Sequence, residues 1–389
     1  MSGGWKVSKD ALEASLNILF SVPARHGMET SEYLKIEKHK DNSAKLSLSS
    51  EMSGCSYLIG DKGCPLTEPI YLDRRMLSPF VSEGKDLAPG YYKLKIHDGF
   101  AVLRHGRREG KYKSNKKAHG YLKSPSFSSA SHLISEELGA ILACARHVAV
   151  DDPVAPHLSC VYIKADGDSL KILSANAHQF FSSKIKIPKG FKLRDVAMPL
   201  PLIDAVATEN SVELLYSDKV AMLKFSSGVL WHPVKSEARK KFPYKIVDSM
   251  VKNGMKGDTL LTVDSNALHD CASRASSYMS SLSAEEVVLK LECQKGDPKV
   301  KIKCNTVGAD FVEYIKIREV SKGDVAIEWP LRAILPILNY CAKSGEAKIS
   351  HDDKGRTCFS AGSVAMLIAR PEKKKGKSHG SERKSKSKD

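Results

Sequence analysis

Leu133-Ile134-Ser135-Glu136-Glu137-Leu138-Gly139-Ala140-Ile141-Leu142-Ala143-Cys144-Ala145 reads as the end of a short strand that runs straight into a helix. Ser135 can cap the first turn by accepting an orphan backbone N–H, and Glu136 and Glu137 suit the positive end of the helix dipole. Leu138, Ile141, Leu142 and Ala145 then fall on one face at helical spacing. The same order recurs along the chain. Trp5-Lys6-Val7 leads through Ser8 to Leu12, Leu16 and Leu19, and Ile70-Tyr71-Leu72 leads to Asp73. Val196-Ala197-Met198 leads into Pro199 to Val206, and Leu261-Thr262-Val263 into Asp264, Leu268, Cys271, Ala272 and Ala275. Ile327-Glu328-Trp329 leads into Pro330, Ile334, Leu335 and Leu338. Pro330 suits the first helical position, whereas Pro336 predicts a kink or an early break.

These helix starts fall at 8, 73, 135, 199, 264 and 330, so the spacings are 65, 62, 64, 65 and 66 residues. A period of this kind marks a repeated structural unit. Between the helices the pattern changes to strands joined by turns. Leu94-Lys95-Ile96 and Ala101-Val102-Leu103 flank Asp98-Gly99, and Val161-Tyr162-Ile163 and Leu170-Lys171-Ile172 flank Asp166-Gly167. Asp-Gly between alternating strands is a hairpin signal, because the turn needs positive φ. Val212 to Leu215 with Val220 to Phe225, and Val287 to Leu291 with Val300 to Ile302, read alike. Each unit is thus a strand, a helix and a small antiparallel meander, and the fold class is α+β.

Composition sets the wider bounds. A chain of 389 residues with 42% hydrophobic content can bury a large core and should divide into two or three domains. No apolar run is long enough to cross a membrane, and Lys6, Lys9, Asp10 and Glu13 interrupt the region a signal peptide would need, so a cytoplasmic protein is expected. Nine cysteines without a C-x-x-C pair point to reduced, buried thiols. The formal charge is +16. Residues 371–389 hold eight basic residues against Glu372, Glu382 and Asp389, which leaves +11 on the rest and favours a polyanionic partner. No G-x-x-x-x-G-K-[ST], H-E-x-x-H or G-x-S-x-G motif occurs, nor any acidic cluster at metal-ligand spacing, so neither an enzyme, a cofactor nor a metal is expected.

Three segments resemble the bacterial DNA sliding clamp, the β subunit of the replicative polymerase. Leu170 to Phe180 is similar to a strand ending in T-D-G-H-R-L, with Ala175, Asn176, Ala177, His178, Gln179 and Phe180 in those six positions and only the histidine identical. Phe242-Pro243-Tyr244-Lys245 resembles F-P-D-Y-R without its Asp, and Val364 to Arg370 resembles the family's terminal strand. The resemblance implies the DNA clamp fold, three similar domains of two units each, forming half of a closed ring. The expected domains are 1–122, 123–256 and 257–371, followed by a disordered basic tail at 372–389.

The function implied is that of a processivity factor, a ring that encircles double-stranded DNA and tethers a DNA polymerase after a clamp loader has placed it. The residues implied for the partner-peptide pocket are Ala175, His178, Phe180, Pro243, Met366 and Leu367. The family's helices line the hole, so the candidate DNA contacts are Arg25, Arg74, Arg75, Arg146, His147, Arg274, Arg332 and Lys343. The fourth helix adds only Asp204 and Glu209. A half ring closes as a head-to-tail homodimer, with Tyr112, Tyr278 and Met279 as candidate interface residues. The basic stretch from Arg104 to Lys113, with Lys116 and Lys117, is expected to mark the connection between the first two domains. The basic balance and the weak motif identity fit a divergent member, with a phage copy as one option. Two other readings stay open: a basic DNA-binding protein that forms no ring, and a clamp-like decoy that binds clamp partners without encircling DNA.

Overall fold

A computed structural model describes residues 5–368 apart from 23–28, 78–90, 98–99, 106–107, 115–119, 128–130, 207–211, 281–286, 306–309 and 321–323 and the single positions 52, 153, 156, 194, 235 and 353. The expected tail, Arg25 and Lys116-Lys117 lie outside the described residues.

Six units follow one another, each a leading strand, a helix and a three-stranded meander. The first holds β1 (Trp5–Ser8), α1 (Lys9–Leu19), the single turn α2 (Glu29–Glu32), β2 (Tyr33–Lys38), β3 (Ala44–Ser50) and β4 (Ser53–Ile59). The second holds β5 (Ile70–Asp73), a helical turn at 74–77, β6 (Tyr91–His97), β7 (Phe100–His105) and β8 (Arg108–Lys113). The third runs β9 (His132–Ile134), α3 (Glu136–Arg146), β10 (Cys160–Asp166), β11 (Ser169–Ala175) and β12 (Gln179–Lys186). The fourth runs β13 (Asp195–Pro199), α4 (Leu200–Val206), β14 (Val212–Tyr216), β15 (Val220–Lys224) and β16 (Gly228–Pro233). Two helices, α5 (Ser236–Lys241) and α6 (Tyr244–Lys256), then lead to the fifth unit: β17 (Asp258–Asp264), α7 (Ser265–Ser280), β18 (Val288–Cys293), β19 (Lys299–Asn305) and β20 (Asp310–Val320). The sixth is β21 (Val325–Pro330), α8 (Leu331–Cys341), β22 (Glu346–His351), β23 (Thr357–Ala361) and β24 (Val364–Ile368).

Local chemistry sets the helix starts. The Ser8 and Ser135 hydroxyls accept from the N–H groups of Ala11 (3.5 Å) and Leu138 (3.2 Å). The Asp264 and Asp73 carboxylates accept from those of Ala267 (3.0 Å) and Arg75 (2.9 Å). The turn after β10 uses Gly167 at φ 66°, as Asp-Gly requires. One expectation is corrected: Pro330 is the residue before the helix rather than its first residue. Of the two outcomes expected at Pro336 the early break does not occur, since α8 runs on to Cys341. The loss of one backbone bond at Pro336 is offset by burial of Ile334, Ile337, Leu338 and Cys341 on both sides of it.

The leading strand of each unit joins the sister unit's meander, and β17 also touches the end of its own meander through β20. β1 pairs with β6 and β5 with β2; β9 pairs with β14 and β13 with β10; β17 pairs with β22 and β21 with β18. This exchange ties units one and two, three and four, and five and six into pairs. The pairs are joined edge to edge: β16 runs beside β4, and β12 beside β24. At the first join the indole of Trp231 lies over Gly54 and the ring of Tyr57 over Gly228, where a Cβ would have no room. One face of every meander packs on the helices. Leu12 and Leu16 of α1 line one apolar space with Leu34 and Leu46, and Leu268, Cys271 and Ala272 of α7 belong to the same buried core as Leu289, Val300 and Ile302. All nine cysteines are free and buried, and burial pushes the thiols of Cys144, Cys160, Cys271, Cys341 and Cys358 up to about 12.

The stretch from Arg104 to Lys113 is no connector: it is the second hairpin of unit two, with Leu103 facing Gly110 and Arg104 facing Glu109. Replacing Ser135→Ala should lower stability to chemical denaturation by about 1 kcal/mol through loss of the α3 cap, with Ser135→Asp restoring most of it; equal stability of all three chains in a urea titration would contradict the capping role.

Candidate nucleic-acid and partner surfaces

The helix layer carries less free positive charge than the sequence suggests. Arg74 is turned inward. Its guanidinium donates to the carbonyls of Val22 (2.8 Å), Phe20 (3.0 Å) and Ser31 (3.3 Å), and its centre stands 5.0 Å from the Phe20 ring centroid. It satisfies carbonyls left open where α1 ends, and burial lowers its pKa from the usual arginine value. Arg75 is exposed but forks onto Asp73 at 2.5 and 3.0 Å.

Arg146, at the end of α3, grips Asp204 of α4 at 2.8 and 3.2 Å. Arg274 of α7 grips Glu313 of β20 at 2.5 and 3.1 Å. Lost hydration around His147, with Arg146 beside it, holds its imidazole below the usual histidine value. Lys343 is exposed on the 3-10 turn after α8. Arg332 lies in the first turn of α8, with its side chain outside the described set. Exposed carboxylates are interleaved with these cations at Asp10, Glu136, Glu137 and Asp204. Among the described residues, the polar faces of the helices are therefore mixed in charge.

The candidate peptide pocket is a filled seam. Across the β12·β24 join Phe180 faces Leu367, and Phe181 faces Met366. Successive strand residues point to opposite faces, so the pair Phe180/Leu367 lies on one side and Phe181/Met366 on the other. Met366 is fully buried in the helix-side core with Phe181 and Phe359, which removes it from any outer cleft. On the other side α6 lies across the seam. Val247 packs with Ala175, Leu173 and Phe242, and Val251 with Leu367, Cys358 and Ala365. Gly254 comes so close that a Cβ there would meet Leu367 Cδ1 at 2.7 Å and Cys358 Cβ at 2.8 Å. Its carbonyl accepts from Ser350 Oγ at 2.7 Å, and Asp248 pairs with Lys171 at 3.0 Å.

Ala175 and Leu367 are thus buried under the chain's own helix, with Pro243 half-buried just before it. His178 stands exposed in a tight turn. Asn176 Oδ1 accepts from the N–H groups of His178 and Gln179, both at 2.8 Å. The signal for α6 was the spacing of Val247, Val251 and Gly254. What α6 leaves exposed is apolar at Ile246 and Met255.

Of the three interface candidates, Tyr278 is exposed, with its ring 6.2 Å from that of Phe311 on β20. Met279 is corrected: it is buried in the core. Tyr112 faces Ala101 within the β7·β8 ladder and is half-buried, which raises its phenol pKa. Exposed Val312 and Tyr314 on β20 were missed. Among the described residues, no group of three or more His, Cys, Asp or Glu side chains could hold a metal ion.

No family model and no curated protein matches the sequence. Solved structures do. The chain is similar to a putative DNA polymerase III beta subunit from Eubacterium rectale, with TM-score 0.65 and 15% identity over 94% of this chain and 98% of that one. It is similar to the beta subunit from DNA polymerase of Streptococcus pyogenes, with TM-score 0.64, 16% identity and the same coverage. A DNA polymerase sliding clamp from Bacillus subtilis gives TM-score 0.64 and 15% identity over 94% and 97%. The architecture is that of the sliding clamp, and at these identities the likeness speaks for the fold alone.

Replacing Arg74→Ala should lower unfolding stability by roughly 1.5–3 kcal/mol, because it strips a charged donor from buried carbonyls. A stability unchanged in thermal and urea unfolding would return Arg74 to the set of candidate DNA contacts.

Proposed function

We propose that this protein is a DNA polymerase processivity factor that works as a homodimeric ring around duplex DNA. The observation that carries the reading is the pattern of strand edges. The last strands of the six meanders are β4, β8, β12, β16, β20 and β24. Four of them are consumed in joining the unit pairs, as β4·β16 and β12·β24. The strand β8 ends its sheet, and β20, whose last residues from Ile317 to Val320 lie beside β17, has β19 as its one partner over Asp310 to Lys316 among the described pairings, which leaves that stretch an open edge. Unpaired edges seek partners. If β8 of each copy pairs with β20 of the other, two chains close with two-fold symmetry, and every join repeats one geometry. Tyr278 and Phe311 then stand beside the new join.

The unit pairs correspond to domains near 1–122, 123–256 and 257–371. The helices face the hole. Their mixed charge suits a weak, sequence-independent hold on phosphates, since the closed topology rather than affinity keeps the ring on the duplex. The role involves no catalysis, and its setting is the cytoplasm; no described helix is long and apolar enough to cross a membrane. A polymerase and a clamp loader are the partners. They meet the chain at the α6 seam, where exposed Ile246 and Met255 offer the apolar contact that buried Leu367 and Met366 do not.

Two measurements test this. After loading, the protein should stay on closed circular DNA and run off linearised DNA at moderate salt, and its solution mass should be twice 42.7 kDa. A monomer at micromolar concentration that leaves both templates equally would identify a DNA binder without a ring. Ile246→Asp should reduce polymerase stimulation at least tenfold with folding unchanged; full stimulation by this variant would place the partner contact elsewhere.

A further inference from the structure

The cations that are missing from the helix layer stand on the opposite face of the sheets. In the sheet β1-β6-β7-β8, the residues Trp5, Val7, Tyr92, Leu94, Ala101 and Leu103 turn to the core. Alternation therefore sends Lys6, Lys93, Lys95, Arg104, Lys111 and Lys113 outward, and all six are exposed. The register sets like charges side by side: Lys6 faces Lys93, and Lys93 faces Arg104. Lys95 and Lys111 flank Val102, and Lys113 faces Phe100.

Like charges directly opposite one another destabilise a sheet. Glu109, opposite Arg104, is the carboxylate within this field of cations. Lys6, Lys93, Lys95, Lys111 and Lys113 have no carboxylate within ion-pair distance among the described residues. Aromatic surface lies among them. Tyr91 is 59% exposed, and Lys111 Nζ stands 4.5 Å from the centroid of the half-buried Phe100 ring.

We propose that this outer face is a binding surface for single-stranded nucleic acid, separate from the duplex contacts of the helix layer. Alternate cations along a strand recur every two residues, about 6.8 Å, a spacing that can follow the phosphates of an extended single strand. An open sheet face with an exposed ring gives a base a stacking platform without reading sequence. A duplex offers no unstacked base to such a ring. The outer face of β19 and β20 is built alike: Lys299 faces Lys316, and Lys301 Nζ lies 5.9 Å from the ring centroid of Tyr314, 57% exposed. Under the ring closure proposed above the two faces become neighbours, although each can bind by itself.

The test is fluorescence anisotropy of a labelled oligo-dT with the full chain across a salt series. Lys93→Gln with Lys95→Gln should lower the slope of log affinity against log salt by about 1.4, at about 0.7 per phosphate contact on a single strand. Tyr91→Ala should weaken binding about tenfold, and a 5-iododeoxyuridine oligonucleotide should photocrosslink to Tyr91 or Phe100. Binding that is unchanged in both variants assigns oligo-dT to the basic C-terminal segment and overturns the proposal. Competition by poly-glutamate with equal affinity, together with no effect of Tyr91→Ala, overturns it in favour of an acidic peptide. Because none of these readouts needs a loaded ring, they stand or fall apart from retention on circular DNA.

Discussion

The architecture depends on one requirement: backbone N–H and C=O groups along a strand edge need partners. Exchange of leading strands satisfies that requirement on one side of every meander, as in β1·β6 and β5·β2. On the other side the last strands satisfy each other across the joins β4·β16 and β12·β24. Sheets thereby run without interruption from one unit pair to the next, twelve strands across the second join and eight across the first. The helices that open the units pack on one side, whereas α6 lies across the second join on the other, and the proposed ring is the geometry in which the last two edges are also met.

Charge follows from this layering. Helix polar faces bear constraints of their own: carboxylates favour first turns, as at Asp10, Glu136 and Glu137, and arginines settle against nearby acids, as Arg146 does on Asp204. Such exposed pairs contribute roughly 0–1 kcal/mol each, so a phosphate could draw either arginine away at small cost. On the outer strand faces carboxylates pair with lysines in places, as Glu292 does with Lys303 and Glu328 with Lys290. On the sheet β1-β6-β7-β8 lysines instead stand opposite one another, and the excess of positive charge collects there.

The α6 strap shows where motif resemblance and packing part company. Phe242-Pro243 stands where the resemblance put it, at the edge of an apolar cluster with Tyr162 stacked on Phe242 at 5.0 Å. The helix that follows fills the cleft. The close approach of Gly254 to Leu367 and Cys358 works only because the helix has no side chain there. Any partner contact at this seam must be made on the outside of α6 or after its displacement.

The sequence by itself determined the six-unit period, the helix starts at Ser8, Asp73, Ser135 and Asp264, and the hairpin at Asp166-Gly167. These rest on local chemistry: a side chain within three residues of an orphan N–H, or a turn that needs positive φ. Only the tertiary structure decided which strand joins which meander, because every leading strand carries the same apolar alternation and could have paired within its own unit. It also decided the facing of Met366 and Leu367. Val364 to Ile368 is apolar at every position and buried on both faces, so no alternation in the residues distinguishes one side from the other. Arg74 belongs with these, since it is placed by carbonyls far away in the chain; for α6 the spacing of Val247, Val251 and Gly254 marked a helix but not the seam it covers, and Met279 continues the stripe of Leu268, Ala272 and Ala275 into the core.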